Sequence, residues 1–162
     1  MRARFRHLAA VTTALAFALI LLGVYTGAVG AGLTCGGRWP FCDGAVMGLF
    51  PANWLSFVEW FHRLVAMVTG FFILGTAAVA WRNGHDARIR YATALAVVVL
   101  PVQILLGANT IFNFGVWAQV FHHAAAQLIF GALVVATTVA YVGGDSGGTA
   151  AAADTATVGA DD

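Results

Sequence analysis

The sequence contains no lysine, a single glutamate and only two cysteines in 162 residues. Charged residues make up 9% of the chain and hydrophobic residues 60%, and the mean hydropathy is +0.85. A net charge of +1 excludes nucleic-acid binding through a basic surface. Two cysteines are too few for a disulfide-rich secreted fold or a four-thiolate metal site. The shortage of charge excludes an ordinary water-soluble domain and indicates a membrane protein.

Four apolar stretches are long enough to cross a bilayer, which requires about 20 mostly apolar residues. They cover approximately residues 8–30, 54–81, 91–112 and 116–142. The sequence therefore predicts an all-α membrane protein, in which residues 1–142 form a bundle of four transmembrane helices. Residues 143–162 are low-complexity Gly, Ala, Thr and Asp with little to bury, and this composition predicts a disordered cytoplasmic tail.

The arginines predict the orientation of the bundle. Six of the eight lie before the first stretch or between the second and third, namely Arg2, Arg4, Arg6, Arg82, Arg88 and Arg90. The positive-inside rule then places both termini in the cytoplasm of a multi-pass cell-membrane protein. Residues 31–53 would face the outside, where the compartment is oxidising, so we expect a disulfide between Cys35 and Cys42.

Ionisable side chains inside a bilayer are costly, and each one therefore suggests a functional site. The four predicted spans contain Glu59, His62, Arg63, His122 and His123. Glu59 and His62 lie three residues apart and share one face of the second helix.

The histidines of the second and fourth spans lie at similar predicted depths. At about 1.5 Å per residue, His62 lies roughly 14 Å and His122 roughly 12 Å from the outer ends of their helices. In an up-down bundle these helices are diagonal partners, so two imidazoles can face a common centre, as bis-histidine ligation of a haem requires. His122 and His123 cannot both point inward, because adjacent helical residues diverge by about 100°. His122 is slightly favoured and His123 stays open, while Arg63 could reach a haem propionate, Glu59 or the lipid headgroups.

Several motifs resemble those of haem A synthase. They are GAGLTCGGRWPFCDG (residues 30–44), EWFHRLVA (59–66), QILLGANT (103–110) and a histidine early in the fourth span. The resemblance extends from Gly30 to about Val142. The best-known members of that family have eight spans in two four-helix halves, and this chain resembles a single half.

The resemblance implies an oxidoreductase that converts the C8 methyl of haem O into the formyl group of haem A, for haem-copper terminal oxidases, with haem b as cofactor. It implies a catalytic pair (Glu59 and His62), axial ligands of the haem iron (His62 with His122 or His123) and an outer-loop cysteine pair (Cys35 and Cys42). Arg63, next to His62, is a further candidate for haem binding by its position. A homodimer would reproduce the two halves, and haem O synthase is an expected partner.

Two positions depart from the family pattern. Arg38 occupies the position before Trp-Pro at which the family usually has an acidic residue. Gly27 occupies the position near the end of the first helix at which the family usually has an arginine.

Two other functions stay open. A non-enzymatic haem b electron-transfer protein would use the same histidines without needing Glu59. A membrane thiol oxidoreductase would use the two cysteines, although the chain lacks the CxxC motif typical of that chemistry.

Overall fold

A computed structural model describes residues 2–39, 42 and 51–158, with side chains for residues 3–39, 42 and 51–143. Its elements are α1 (Arg2–Ala28), a 3₁₀ turn (Ala31–Leu33), α2 (Trp54–Arg82), α3 (Ala87–Phe112) and α4 (Val116–Val158). The described residues contain no strand, and the predicted all-α membrane fold class is confirmed. Pro40, Phe41 and Asp43 of the loop motif lie outside the described residues.

Four helices in the described part of the chain are long and apolar enough to cross a membrane. Their spans are Ala3–Ala28, Trp54–Arg82, Ala87–Phe112 and Val116–Gly143. The first and third begin a few residues earlier than predicted, because the helices continue beyond the apolar run into the arginine-bearing segments. Large apolar side chains cover the outside of the bundle, as expected for helices that face lipid: Phe71 is 67% exposed and Leu105 is 70% exposed.

The fourth helix continues past its apolar span. Its backbone is helical as far as Val158, whereas the composition of residues 143–162 predicts disorder. Four consecutive alanines at 150–153 are the strongest helix formers in this segment and account for the difference. The proposed domain boundary after residue 142 stays a prediction, and residues 159–162 lie outside the described part of the chain.

The helices pack as the predicted up-down bundle. Within the described residues, α1 and α3 each have Cα atoms within 8 Å of both α2 and α4. No Cα atoms of α2 and α4 come within 8 Å of each other, and neither do those of α1 and α3. The 3₁₀ turn packs against α1, α2 and α3 at one end, which we call the disulfide end because it carries Cys35 and Cys42. The two histidine-bearing helices, α2 and α4, are therefore diagonal partners.

Small side chains and threonine hydroxyls hold the helices together. Thr12 Oγ1 in α1 lies 2.8 Å from Thr76 Oγ1 in α2, and Thr13 Oγ1 lies 2.9 Å from Thr137 Oγ1 in α4. In lipid, close packing and hydrogen bonds of this kind replace the hydrophobic effect as the force between helices. The first helix is thus tied to both of its neighbours by hydroxyl pairs.

We predict that Thr12 and Thr76 are energetically coupled. Thr12→Val and Thr76→Val, separately and together, should give a double-mutant cycle with a coupling of about 0.6 kcal/mol, the average for hydrogen bonds between membrane helices. The measurement is reversible unfolding in mixed detergent micelles. Strict additivity of the two substitutions would show that the hydroxyls do not stabilise each other.

Candidate functional site

A buried carboxylate organises the disulfide end. Glu59 is only 3% exposed. Its Oε2 accepts hydrogen bonds from the backbone N–H of Cys35, at 2.8 Å, and from Thr34 Oγ1, at 3.2 Å. Its Oε1 pairs with the guanidinium of Arg63, one helical turn further along α2. An isolated buried charge would be very costly, so these partners are what allow the carboxylate to be buried.

Arg63 connects the same helix to the loop at a second point. Its guanidinium donates a hydrogen bond of 2.6 Å to the backbone carbonyl of Arg38. Glu59, one of the three partners predicted for Arg63, is among its contacts. Because the Arg38 atom involved belongs to the main chain, the departure from the family pattern at this position leaves this contact intact.

The predicted disulfide between Cys35 and Cys42 is present. Both cysteines are buried, and their Sγ atoms lie 3.7 and 3.6 Å from the carbonyl oxygen of Ser56. Ser56 Oγ also donates a hydrogen bond of 3.0 Å to the carbonyl of Thr34. The loop is therefore fastened to the first turn of α2. Burial of both sulfur atoms suits a structural staple better than thiol exchange, which requires access to sulfur.

His62 and His122 lie on the diagonal helices at comparable distances from the disulfide end. His62 follows Trp54, the first residue of α2, by eight positions, and His122 follows Val116, the first of α4, by six. At about 1.5 Å per residue these positions lie roughly 12 and 9 Å along the helices.

Both rings have an unpartnered nitrogen. The Nδ1 atoms of His62 and His122 are buried and lack a hydrogen-bond partner among the described residues. Buried polar atoms normally have partners, and exceptions are informative. Imidazole is a standard axial ligand of haem iron, so these two rings fit a haem held between diagonal helices.

His123 points in a different direction from His122. The two ring planes are nearly perpendicular, at 84°. His123 Nδ1 lies 2.8 Å from the backbone carbonyl oxygen of Gln119 in its own helix, whereas His122 Nε2 lies 3.4 Å from Nε2 of Gln103 in α3. This geometry favours His122 over His123 as the partner of His62, and the assignment stays a prediction.

Gly23 and Gly107 were not among the predicted site residues, but they lie directly against the imidazoles. A Cβ atom on Gly23 would be 3.1 Å from Cε1 of His62, and one on Gly107 would be 3.1 Å from Cε1 of His122. A repeated Ile-Leu-Leu-Gly motif, at residues 20–23 and 104–107, is the sequence signal that identifies them.

The site thus consists of two parts. Glu59, Arg63 and the disulfide loop form one network, and the two glycine–histidine contacts form the other. Within the described residues, no group of three or more His, Cys, Asp or Glu side chains is arranged to hold a metal ion by itself. Axial ligation of a haem iron needs only two protein side chains.

Known proteins with similar sequences include heme A synthases and protoheme IX farnesyltransferases. The chain is 28% identical over 144 residues to the heme A synthase of Bacillus licheniformis, covering 87% of this chain and 47% of the relative. It is 31% identical over 134 residues to the heme A synthase of Shouchella clausii, covering 81% and 44%. It is 36% identical over 121 residues to the protoheme IX farnesyltransferase of Halobacterium salinarum, covering 74% and 27%. No family model matches. The chain thus spans less than half the length of these relatives.

We predict that Glu59 protects the disulfide. Glu59→Ala removes the acceptor of the Cys35 N–H and leaves Arg63 without this carboxylate, so the loop should open more often. Loss of a charged hydrogen-bond acceptor costs about 1.5–3 kcal/mol, and reduction by a water-soluble phosphine should become at least roughly tenfold faster. Maleimide labelling of the released thiols measures the rate. Asp86→Ala, outside this network, serves as the control, and equal rates in all three proteins would contradict the prediction.

Proposed function

We propose that this chain, a homologue of haem A synthases over most of its own length, binds haem between His62 and His122 and oxidises the C8 methyl of haem O to the formyl group of haem A. The observation that supports the proposal most directly is the pair of imidazoles on diagonal helices, each with a buried Nδ1 atom that lacks a hydrogen-bond partner among the described residues. The homologues support a haem-modifying membrane enzyme, and the specific reaction is our proposal.

His62 and His122 are the residues that would hold the iron, and a haem b bound there supplies one-electron redox chemistry. The apolar bundle around the rings would exclude water. Their depth, roughly 9–12 Å from the helix starts, would place a haem near one face of the membrane. On the arginine distribution we propose that this is the outer face, with both termini in the cytoplasm.

Glu59 is the proposed proton acceptor of the site. With water as the oxygen source, oxidation of a methyl to a formyl group releases four protons and four electrons. The step therefore needs an external electron acceptor, reached through the haem, and a base near the substrate. Glu59 precedes His62 by one helical turn and forms an ion pair with Arg63. Among its donors, the hydroxyl of Thr34 is the one that can rotate away and free Oε2 for a proton.

The relatives support two proposed partners. The chain spans 47% and 44% of the two haem A synthases, and we propose that two copies form a homodimer that supplies the missing half. A segment similar to this chain also makes up about a quarter of a protein named for farnesyl transfer to protoheme IX. This supports a haem O synthase as the partner that delivers the farnesylated substrate.

A non-enzymatic haem b electron-transfer protein is the second candidate. It is favoured by one observation: both oxygens of Glu59 are already engaged by Cys35, Thr34 and Arg63, as expected for a structural carboxylate. A thiol oxidoreductase is a weaker candidate because both cysteines are buried.

We predict that the protein purified from membranes carries haem with the absorption spectrum of a bis-histidine, low-spin iron. His62→Ala and His122→Ala should each lose most of the haem, whereas His123→Ala should retain it. Absorption spectra and extracted haem content provide the measurement. Wild-type protein without haem would overturn the proposal, and loss of haem in His123→Ala alone would reassign the ligand.

We predict that Glu59→Gln binds haem but makes little haem A. General acid–base catalysis contributes about 10²–10⁴-fold to rates, so haem A formation should fall by roughly that factor in cells that also produce haem O. Chromatography of extracted haems gives the yield, and Asp86→Asn is the matched control. Normal haem A production by Glu59→Gln would favour the view that Glu59 serves only to hold the loop.

A further inference from the structure

The two halves of the bundle share a sequence pattern. Residues 20–26 in α1 and residues 104–110 in α3 both read Ile-Leu-Leu-Gly-x-x-Thr. In each case the glycine lies five residues before the last residue of its helix. A Phe-His pair follows in the next helix, at 61–62 in α2 and at 121–122 in α4. The hairpins α1–α2 and α3–α4 therefore share a local sequence pattern around a glycine and a histidine.

The distances between glycine and histidine are also nearly the same in the two hairpins. A Cβ atom on Gly23 would lie 3.1, 3.7 and 3.9 Å from Cε1, Nδ1 and Nε2 of His62. The corresponding distances from Gly107 to His122 are 3.1, 3.6 and 3.9 Å. In both hairpins the Cε1 edge of the ring lies against the glycine, with one nitrogen on either side.

Other helical glycines do not have this relationship to a side chain. A Cβ on Gly27, Gly75 or Gly131 would meet nothing within 4 Å, and one on Gly70 would meet only Leu100, at 3.9 Å. Among these helical glycines, only Gly23 and Gly107 lie this close to a side chain, and in both cases the side chain is a histidine.

The contact has a specific mechanical consequence. Histidines that ligate metals usually donate their other ring N–H to a carbonyl or carboxylate, which fixes the ring orientation. Here the Nδ1 atoms of His62 and His122 have no such partner among the described residues. Instead, the edge of each ring lies beside a glycine, at a place where a Cβ atom would come within 3.1 Å of it.

We propose that Gly23 and Gly107 are paired positioning residues that set the imidazole planes of His62 and His122. The repeat also makes His122 the counterpart of His62, while His123 occupies the register position of Arg63. The role of the rings as haem ligands rests on the proposed function, whereas the glycine contacts themselves do not.

The two hairpins differ in charge. Gln119 and His123 occupy the positions that Glu59 and Arg63 occupy in the first hairpin. The carboxylate–guanidinium pair is thus present on only one side of the two rings. One hairpin carries the proposed proton acceptor, and both hairpins carry the glycine–histidine contact.

A first experiment tests the contacts without haem. Protein labelled with ¹³C at histidine Cε1 is examined by NMR in detergent micelles, with resonances assigned through His62→Gln and His122→Gln. Gly23→Ala should shift the His62 signal and Gly107→Ala the His122 signal, each leaving the other in place. Gly27→Ala and Gly131→Ala should shift neither. Unchanged signals in Gly23→Ala and Gly107→Ala would overturn the inference.

A second experiment uses the haem-loaded protein and reads the ligand geometry directly. Gly23→Ala and Gly107→Ala should keep haem but change the g-values of the ferric electron paramagnetic resonance spectrum and shift the midpoint potential, while Gly27→Ala changes neither. The larger Gly23→Val should reduce haem content to a small fraction of wild type. Alanine favours helix over glycine, so the alanine variants are expected to fold.

The two experiments fail in distinguishable ways. Wild-type protein without haem would contradict the proposed function, and the NMR experiment would still test the glycine contacts. Haem-loaded Gly23→Ala and Gly107→Ala with wild-type spectra would contradict the positioning role while leaving haem binding intact.

Discussion

The disulfide end depends on the cost of burying one negative charge. Glu59 lies 3% exposed in an apolar bundle, and a carboxylate in such surroundings must be paired and fully hydrogen-bonded. Its donors come from its own helix and from the loop that follows α1. Satisfying that charge therefore determines where the loop lies, and with it the position of the disulfide and of the first turn of α2.

The diagonal arrangement of the helices is the second constraint. The backbones of α2 and α4 lie across the bundle from each other, with no Cα atoms of the two helices within 8 Å among the described residues. Side chains from these two helices can then share the centre of the bundle. Glycine on the intervening helices leaves room there for a ring from each side.

The sequence predicted the parts of the protein that depend on composition. Span positions, the diagonal relation of His62 to His122 and the disulfide follow from apolar runs, helical rise and topology. The partners of Glu59 were harder to foresee, because one of them is the backbone N–H of Cys35, which leaves no mark in the sequence. The glycine contacts were missed because Gly23 and Gly107 are apolar residues among apolar neighbours, and only comparison of the two hairpins reveals them.

Each hairpin contains its own glycine and imidazole. Each pair of consecutive helices therefore supplies one of the two proposed iron ligands. An iron that requires both rings can be captured only after the hairpins have closed on each other. On the proposed ligation, haem binding therefore stabilises the closed bundle by mass action, in proportion to the logarithm of free haem above its dissociation constant. Haem supply would then influence how much of the protein persists in the membrane, independently of how fast it turns over.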